Sequence, residues 1–186
     1  MKRALSLLIL LATALAAQIP VVPRKASNIG IQTGTDQYVW LSENMGKTCV
    51  VAFVLTTCSH CQFTVGLLNK LQKEYADKGV KVIASAIEPM SSLHTEDFRK
   101  QFQLQFAVGY NDQAYVQKFL GRPDNDPMFM PQLAFVDRKG VIRVQYAGDD
   151  PALGQDIQEK SLREALEKTL NEGALPATRK AAVKRP

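Results

Sequence analysis

The chain has few of the residues that bind metals: three cysteines and two histidines among 186 residues. Cys58 and Cys61 are three positions apart, and a zinc site built on them would need two more cysteine or histidine ligands at comparable spacing. Only Cys49, His60 and His94 remain to supply those ligands. A structural zinc site is therefore a poor explanation of the cysteine pair.

The N-terminal apolar stretch is too short for a permanent membrane span. Ala4 to Ala17 is uncharged, but about 20 residues are needed to cross a bilayer. The stretch follows Lys2 and Arg3 and ends in Ala14-Leu15-Ala16, and this order of basic, apolar and small residues is typical of a secretory signal peptide. We therefore predict a signal peptide over residues 1–17 and a soluble periplasmic or otherwise exported protein after cleavage. An uncleaved membrane anchor is the weaker alternative.

An extended basic surface is also lacking, although the formal net charge is +5. Six positive charges lie near the two ends, and removing them leaves a net charge of −1; they belong to Lys2, Arg3, Arg179, Lys180, Lys184 and Arg185. No nucleic-acid recognition motif and no interleaving of basic and aromatic residues is present, so we expect no nucleic-acid partner. Residues 175–186 are predicted to form a basic, disordered tail.

The remaining sequence predicts one α/β domain. We interpret residues 18–26 as an extended lead-in and residues 27–174 as the domain, which is long enough to bury a proper core. Apolar runs predict strands, and amphipathic segments predict helices. The strands are expected over residues 29–31, 37–41, 49–55, 80–87, 106–108, 132–136 and 141–146, and the helices over 62–78, 95–102, 112–120 and 156–171. This alternation predicts a mixed central sheet flanked by helices on both faces.

The helical periodicity also predicts which side chains are buried. In the helix after the cysteine pair, the apolar face is expected to contain Phe63, Leu67, Leu68, Leu71 and Tyr75. In the last helix, the inward side chains are expected to be Ile157, Leu162, Leu166 and Leu170.

The most informative motif is Cys58-Ser59-His60-Cys61, between the apolar run 49–55 and the helix that follows. Two cysteines at this spacing in a first helical turn can form a disulfide without moving the backbone. The unpaired amides and the dipole of the helix stabilise a thiolate on the first cysteine. We therefore predict a redox disulfide Cys58–Cys61, with Cys58 as the nucleophile and Cys61 as the buried resolving thiol. This chemistry needs no cofactor, and its partners would be protein thiols and disulfides.

Other residues near the motif have weaker interpretations. His60, together with Ser59 inside the motif, is expected to modulate the pair, because a positive or hydrogen-bonding imidazole would stabilise the Cys58 thiolate and favour the reduced form. A solvated loop histidine is the alternative. Cys49 lies nine residues before Cys58, too far along a strand for pairing, and is expected to be a buried apolar residue. His94 is expected on the surface or at a helix cap.

The order of elements, with a dithiol after the central strand and a proline before the hairpin strand, resembles the thioredoxin fold. Three segments are similar to the TlpA/ResA-like branch of exported thiol-disulfide oxidoreductases. These are Trp40-Leu41-Ser42-Glu43 with Gly46-Lys47, the helix-strand-helix insert Thr95 to Leu120, and the segment MPQLAFVDRKG over residues 130–140. The resemblance covers residues 27–170 and implies a thioredoxin-like sheet with an N-terminal strand extension.

The resemblance also implies a substrate-binding surface. It implies that Pro131 is cis and packs against the dithiol, and that the backbone of Met130 receives the substrate peptide. Thr57 lies where many relatives have a bulky residue, and we assign it to the same surface. A membrane thiol-disulfide reductase or oxidase that recycles the pair is a further implied partner. Two acids that relatives use as proton carriers are replaced, by Ala52 and by Thr64.

A copper-handling module is the alternative of a different class. Met128 and Met130 flank Phe129 beside Pro131, and two thiolates with a thioether would form a soft Cu(I) site from Cys58, Cys61 and Met130. Apolar cover for a substrate groove explains the same methionines. A peroxiredoxin-type peroxidase is a poor third option, because Leu55 and Cys58 occupy the positions where its threonine would be expected.

Overall fold

A computed structural model describes residues 21–124 and 126–174 of the chain. The predicted signal peptide and the predicted basic tail lie outside these residues. The strands are β1 (Arg24–Lys25), β2 (Gly30–Gly34), β3 (Gln37–Trp40), β4 (Thr48–Val54), β5 (Val80–Ala86), β6 (Val108–Tyr110), β7 (Gln132–Val136) and β8 (Val141–Tyr146). The helices are α1 (Ser59–Glu74), α2 (Thr95–Gln101), α3 (Gln113–Leu120) and α4 (Gln158–Glu172).

The described strands form one mixed sheet in the order β1-β8-β7-β4-β5-β6-β2-β3. β4 lies near the middle, parallel to β5 and antiparallel to β7. β6 continues the parallel part, while β2 and β3 form an antiparallel hairpin at the far edge. The structure confirms the predicted mixed α/β sheet and the helix-strand-helix insert, which is α2, β6 and α3.

Both faces of β4 are buried, as the continuous apolar run predicts for a central strand. Successive side chains of a strand point to opposite faces, and those of β4 enter two separate cores. Val50, Ala52 and Val54 join a core with residues of α1 and α4. Cys49, Val51 and Phe53 join a second core with residues of α3; the α3 residues are Val116, Phe119 and Leu120.

Helix α1 buries a different set of residues from the predicted apolar face. Phe63 is 41 % exposed, so its predicted burial is wrong, whereas Thr64 and Asn69 are buried. Thr64 accepts a hydrogen bond of 2.7 Å from Nε2 of Gln158 on α4. The packing of α4 beside α1 therefore covers Thr64, whereas Asn69 accepts a hydrogen bond of 2.8 Å from the backbone N–H of Gln105. The prediction for Ile157 is also wrong, because this residue precedes the first turn of α4 and is 49 % exposed.

Some boundaries differ from the predicted ones. The lead-in contributes β1, which pairs antiparallel with β8 at the edge of the sheet. β6 lies two residues later than predicted, at Val108–Tyr110. α1 ends at Glu74, and a separate 3₁₀ turn, Ala76–Lys78, follows it. Gly79 ends that turn with φ of 73°, a left-handed conformation that glycine adopts without a steric penalty.

Within the described parts of the chain, none of the helices has both the length and the apolar character needed to cross a membrane.

Candidate active site

The two cysteines of the motif lie where β4 ends and α1 begins. Cys58 is the N-cap residue of α1, and its Sγ accepts a hydrogen bond of 3.3 Å from the backbone N–H of Cys61. This amide is one of the first-turn N–H groups that have no partner inside the helix. Both cysteines are free thiols in the structure. The sulfur of Cys58 therefore lies at the positive end of the helix dipole, in contact with a first-turn amide.

Cys61 is inaccessible to solvent, whereas Cys58 is half-buried. The Sγ of Cys61 accepts a hydrogen bond of 3.5 Å from the backbone N–H of Leu55. Burial raises the pKa of Cys61 well above its ordinary value, and the Leu55 bond only partly opposes this effect. Cys58 and the charge of Glu88 raise the pKa of Cys61 further. The two sulfurs therefore differ in access, and Cys61 resists deprotonation.

The two residues between the cysteines point to different surroundings. Ser59 is the first residue of α1 and is exposed. His60 Nε2 lies 3.0 Å from the carbonyl oxygen of Leu153. A carbonyl only accepts hydrogen bonds, so this nitrogen carries the proton and donates. The role predicted for His60 and Ser59 as modulators of the pair stays a prediction.

The segment assigned to substrate binding packs, through Met130, against the core that Cys58 also contacts. The Met130–Pro131 peptide bond is cis. Met130 is half-buried and packs against both cores, and Cys58 packs against the first of them. Thr57 is exposed, directly before Cys58. The structure thus places Met130 and Cys58 against the same core, and the substrate-binding role of Met130, Pro131 and Thr57 stays a prediction.

The loop after β8 approaches the backbone of Met130 closely. Gly148 N–H donates a hydrogen bond of 2.8 Å to the carbonyl of Phe129. A Cβ on Gly148 would lie 2.8 Å from the nitrogen of Met130 and closer still to its carbonyl group. Glycine is required here because no side chain fits between the two backbone segments. The sequence pattern gave no sign of this contact.

The other candidate residues lie away from the pair. Cys49 is buried in β4, and burial raises the pKa of its thiol to about 11, although Lys47 and Lys81 lower it in part. His94 is exposed and precedes α2 without a side-chain hydrogen bond to that helix.

The sequence pattern did not identify one acidic residue near the site. Glu88 follows β5, and its Oε1 accepts a hydrogen bond of 2.9 Å from the backbone N–H of Thr56. The Thr56 hydroxyl donates a second hydrogen bond to the same oxygen. Thr56 lies two residues before Cys58, so Glu88 reaches the active-site loop from the neighbouring strand. The available signal was the position of Glu88 directly after a predicted strand parallel to the central one.

Taken together, the fold and the cysteine pair define a thioredoxin-fold protein of the thiol-disulfide oxidoreductase class. The chain belongs to the Redoxin family, whose model matches residues 24–166. Within the fold it is TlpA/ResA-like, as the sequence motifs predict.

Relatives and solved structures agree with this assignment. The thioredoxin-like protein YneN of Bacillus subtilis is 26 % identical over 126 residues, covering 67 % of this chain and 71 % of its own. The thiol-disulfide oxidoreductase ResA of Bacillus thuringiensis is 24 % identical over 128 residues, covering 69 % and 70 %. A Chlorobium tepidum crystal structure, provisionally described as the thiol:disulfide interchange protein DsbE, has a TM-score of 0.65 at 22 % identity. That match covers 80 % of this chain and 96 % of the other. The structural match shows the shared fold.

The copper-handling alternative is not favoured. In residues 21–124 and 126–174, no group of three or more histidine, cysteine, aspartate or glutamate side chains could hold a metal ion. Cys61, one of the three proposed copper ligands, is fully buried and already hydrogen-bonded to Leu55. The family and its relatives instead point to disulfide exchange.

Proposed function

We propose that the protein is an exported thiol-disulfide oxidoreductase that exchanges its Cys58–Cys61 pair with protein substrates. One observation supports the proposal most directly. The sulfur of the half-buried Cys58 accepts a hydrogen bond from the first-turn backbone N–H of Cys61, and the sulfur of Cys61 is itself fully buried. This arrangement supports a division of labour in which Cys58 meets the substrate and Cys61 acts only within the protein.

The first step is attack by the Cys58 thiolate on one sulfur of a substrate disulfide. A bond forms between Cys58 Sγ and that sulfur, and the bond between the two substrate sulfurs breaks. The second substrate sulfur leaves as a thiolate and takes up a proton. The first-turn amide of Cys61 and the helix dipole stabilise the attacking thiolate.

The second step releases the substrate. Cys61 loses its proton and attacks Cys58 Sγ, which forms the Cys58–Cys61 disulfide and breaks the mixed disulfide. The remaining substrate sulfur leaves as a thiolate and is protonated. The substrate gains two electrons and two protons, and the dithiol loses them. The same steps in reverse oxidise a substrate dithiol.

The substrate peptide is proposed to lie over Met130, Pro131 and Thr57. Met130 packs on the core that Cys58 also contacts, and the neighbouring Phe129 is 55 % exposed. An exposed aromatic side chain in this segment suits an apolar part of an unfolded or flexible substrate. A membrane thiol-disulfide reductase or oxidase would return the pair to its working state.

Trapping of mixed disulfides tests the division of labour. Cys61→Ser should leave Cys58 able to attack but unable to release its partner, so mixed disulfides should accumulate in periplasmic extracts and disappear with dithiothreitol. Cys58→Ser should trap almost nothing, because the two remaining thiols, Cys49 and Cys61, are buried. Cys49→Ala is the matched control and should behave as the parent protein. Equal trapping by both active-site variants, or trapping only through Cys61, would contradict the assignment.

Export is the second part of the proposal, and the basic-apolar-small pattern of residues 2–16 supports it. Intact-mass measurement of protein from the native host should give a chain that begins near Ala17 or Gln18. Recovery of the full-length chain from the membrane fraction would instead identify residues 4–17 as an anchor.

A further inference from the structure

The resolving step needs a proton acceptor, because Cys61 must lose its proton inside the protein. Neither position that supplies an acid in relatives can do so here. Ala52 is buried in β4 and has no titratable group. Thr64 is buried, and its hydroxyl donates to the carbonyl of His60 at 2.8 Å and accepts from Gln158. A base for Cys61 must therefore come from another part of the structure.

The pairing of β4 with β5 brings Glu88 to the dithiol. Val54 and Ala86 are register partners in these parallel strands. The next residue, Ile87, donates its N–H to the carbonyl of Val54 at 3.2 Å. Glu88 and Thr56 are each two residues beyond the paired positions. The carboxylate therefore reaches the loop that carries the cysteines, where Thr56 holds it with both its amide and its hydroxyl.

Consecutive backbone amides of this loop bind the sulfur of Cys61 and the carboxylate of Glu88. The N–H of Leu55 donates to Cys61 Sγ, and the N–H of Thr56 donates to Glu88 Oε1. Thr56 is fixed further by Gln62, whose Nε2 donates to the Thr56 carbonyl at 2.8 Å. The other carboxylate oxygen, Oε2, is buried and has no hydrogen-bond partner in the described structure. A buried carboxylate oxygen without a donor is costly and calls for an explanation, and a catalytic role is one that would account for it.

Glu88 also has a route to solvent. It lines an open surface cleft of about 420 Å³ together with Met90, Asn111 and Asp112. Glu88 therefore lies between the active-site loop, which its carboxylate contacts, and an open cleft on the surface. Burial, Cys58 and the charge of Glu88 together raise the pKa of Cys61.

We propose that Glu88 accepts the proton of Cys61 in the resolving step and passes it to solvent through this cleft. The Cys61 S–H bond breaks and an O–H bond forms on the carboxylate. The new thiolate then attacks Cys58 Sγ and displaces the substrate thiolate. The transfer neutralises Glu88, so the thiolate forms beside an uncharged acid. This assignment rests on the proposed exchange function and names the proton carrier for it.

Stopped-flow kinetics with dithiodipyridine, an uncharged disulfide, separate the two steps. The attack by Cys58 releases one chromophoric thiopyridone, and resolution by Cys61 releases a second. Glu88→Gln keeps an oxygen for the Thr56 amide but cannot accept a proton. Its first release should stay within twofold of the parent rate near pH 7, and its second should slow about 100-fold, the usual contribution of a general base.

The pH profile distinguishes a proton acceptor from a structural side chain. In Glu88→Gln the second release should rise up to tenfold per pH unit, as hydroxide replaces the missing base, while the parent profile stays shallower. Glu88→Asp should recover part of the rate. The titratable groups on the elements around Glu88 are Cys61 of α1, on which its charge acts, and Tyr110 and Asp112, which line the cleft with it. Glu96→Gln is the matched control, because it makes the same change at an exposed acid on α2 that does not line the cleft, and it should leave both releases unchanged.

The kinetic results distinguish a failure of the role assigned to Glu88 from a failure of the proposed exchange function. A parent protein with two releases and a Glu88→Gln variant with an unchanged second release would overturn the role of Glu88 alone. A parent protein that releases no thiopyridone would overturn both proposals. If Glu88→Gln does not fold, the same kinetic experiment can be done with Thr56→Val. It removes the hydroxyl that positions the carboxylate and should slow only the second release, and a normal second release in it would overturn the assignment.

Discussion

His60 donates a hydrogen bond from Nε2 to the carbonyl oxygen of Leu153, with 3.0 Å between the two atoms. Leu153 is buried at the end of the 3₁₀ turn Pro151–Leu153, which precedes α4. The bond therefore ties the first turn of α1, between the two cysteines, to a segment 93 residues away in sequence. The imidazole can act on the dithiol through its charge and through this anchor.

Replacement of His60 by alanine should lower the reduction potential of the Cys58–Cys61 pair. An imidazole that stabilises the thiolate favours the reduced form, so its loss shifts the equilibrium toward the disulfide. A tenfold shift corresponds to about 30 mV, or about 1.4 kcal/mol, for this two-electron couple. Equilibration with a glutathione or dithiothreitol series measures the potential. The parent value also gives the direction of electron flow, with about −120 mV for an oxidant and about −270 mV for a thioredoxin-like reductant.

His60→Gln is the control that separates charge from anchoring. A glutamine can donate its amide N–H to the Leu153 carbonyl but cannot become positive. If the glutamine variant keeps the parent potential, the anchor carries the effect. An unchanged potential in both variants would show that His60 has no influence on the redox equilibrium of the pair.

Alkylation of the reduced, folded protein should distinguish the three thiols. Cys58 is half-buried, whereas Cys49 and Cys61 are 1 % and 0 % exposed. The pKa of Cys49, raised to about 11 by burial, leaves about one part in a thousand as the reactive thiolate at pH 8. Iodoacetamide followed by peptide mass mapping should label Cys58 first and the other two only after unfolding in urea. Labelling of Cys49 at the rate of Cys58 would contradict the buried position of β4.

Replacement of Gly148 by alanine should disturb the segment before Pro131. The new Cβ would lie 2.8 Å from the nitrogen of Met130, so the two loops must separate. Overpacking of this kind costs about 1–3 kcal/mol, which urea unfolding can measure, and exchange with substrate peptides should slow. Gly66→Ala is the matched control in α1, where a Cβ meets nothing within 4 Å. It should stabilise the protein by up to about 1 kcal/mol, and the same effect from both substitutions would contradict the close approach at Met130.

Replacement of Asp137 by asparagine should destabilise the β7–β8 hairpin. The buried carboxylate accepts hydrogen bonds from the N–H groups of Lys139 and Val141 and forms an ion pair of 2.7 Å with Arg143. Burial alone would raise the pKa of Asp137, but these bonds and the charge of Arg143 hold it below its ordinary value. Removal of one partner of a buried pair costs about 3 kcal/mol, to be measured by urea unfolding at pH 7.

The same pair predicts the pH dependence of stability. Because the pKa of Asp137 is lower in the folded protein, its contribution is complete above the unfolded pKa of about 4. The contribution is lost as the pH falls through the lower folded value, so the difference between parent and Asp137→Asn should shrink in acid. Glu96→Gln is the control. It removes an exposed partner of Arg99 and should change the free energy of unfolding little, both at pH 7 and in acid. A difference that grows in acid would show that the sign is wrong.

The sequence by itself determined the order of the main strands and helices along the chain and the position of the dithiol. The apolar run of β4, the turn Asp137-Arg138-Lys139-Gly140 and the strands β7 and β8 depend on local pattern and turn chemistry. The predicted bounds of β7 and β8 agree with the structure, and those of β4 are shifted by one residue. The adjacency of Cys58 and Cys61 also follows locally, because both lie in one helical turn.

Only the tertiary structure decided which distant groups surround that dithiol. Glu88 reaches Thr56 because two parallel strands pair in a particular register. His60 meets Leu153, and Gly148 covers Met130, through segments far apart in the chain. The exposure of Phe63 has the same origin, because the packing of α4 and the sheet, rather than helical periodicity, selects the buried face of α1. Local pattern fixes which residues can form an element, whereas the neighbours of a side chain depend on how complete elements pack.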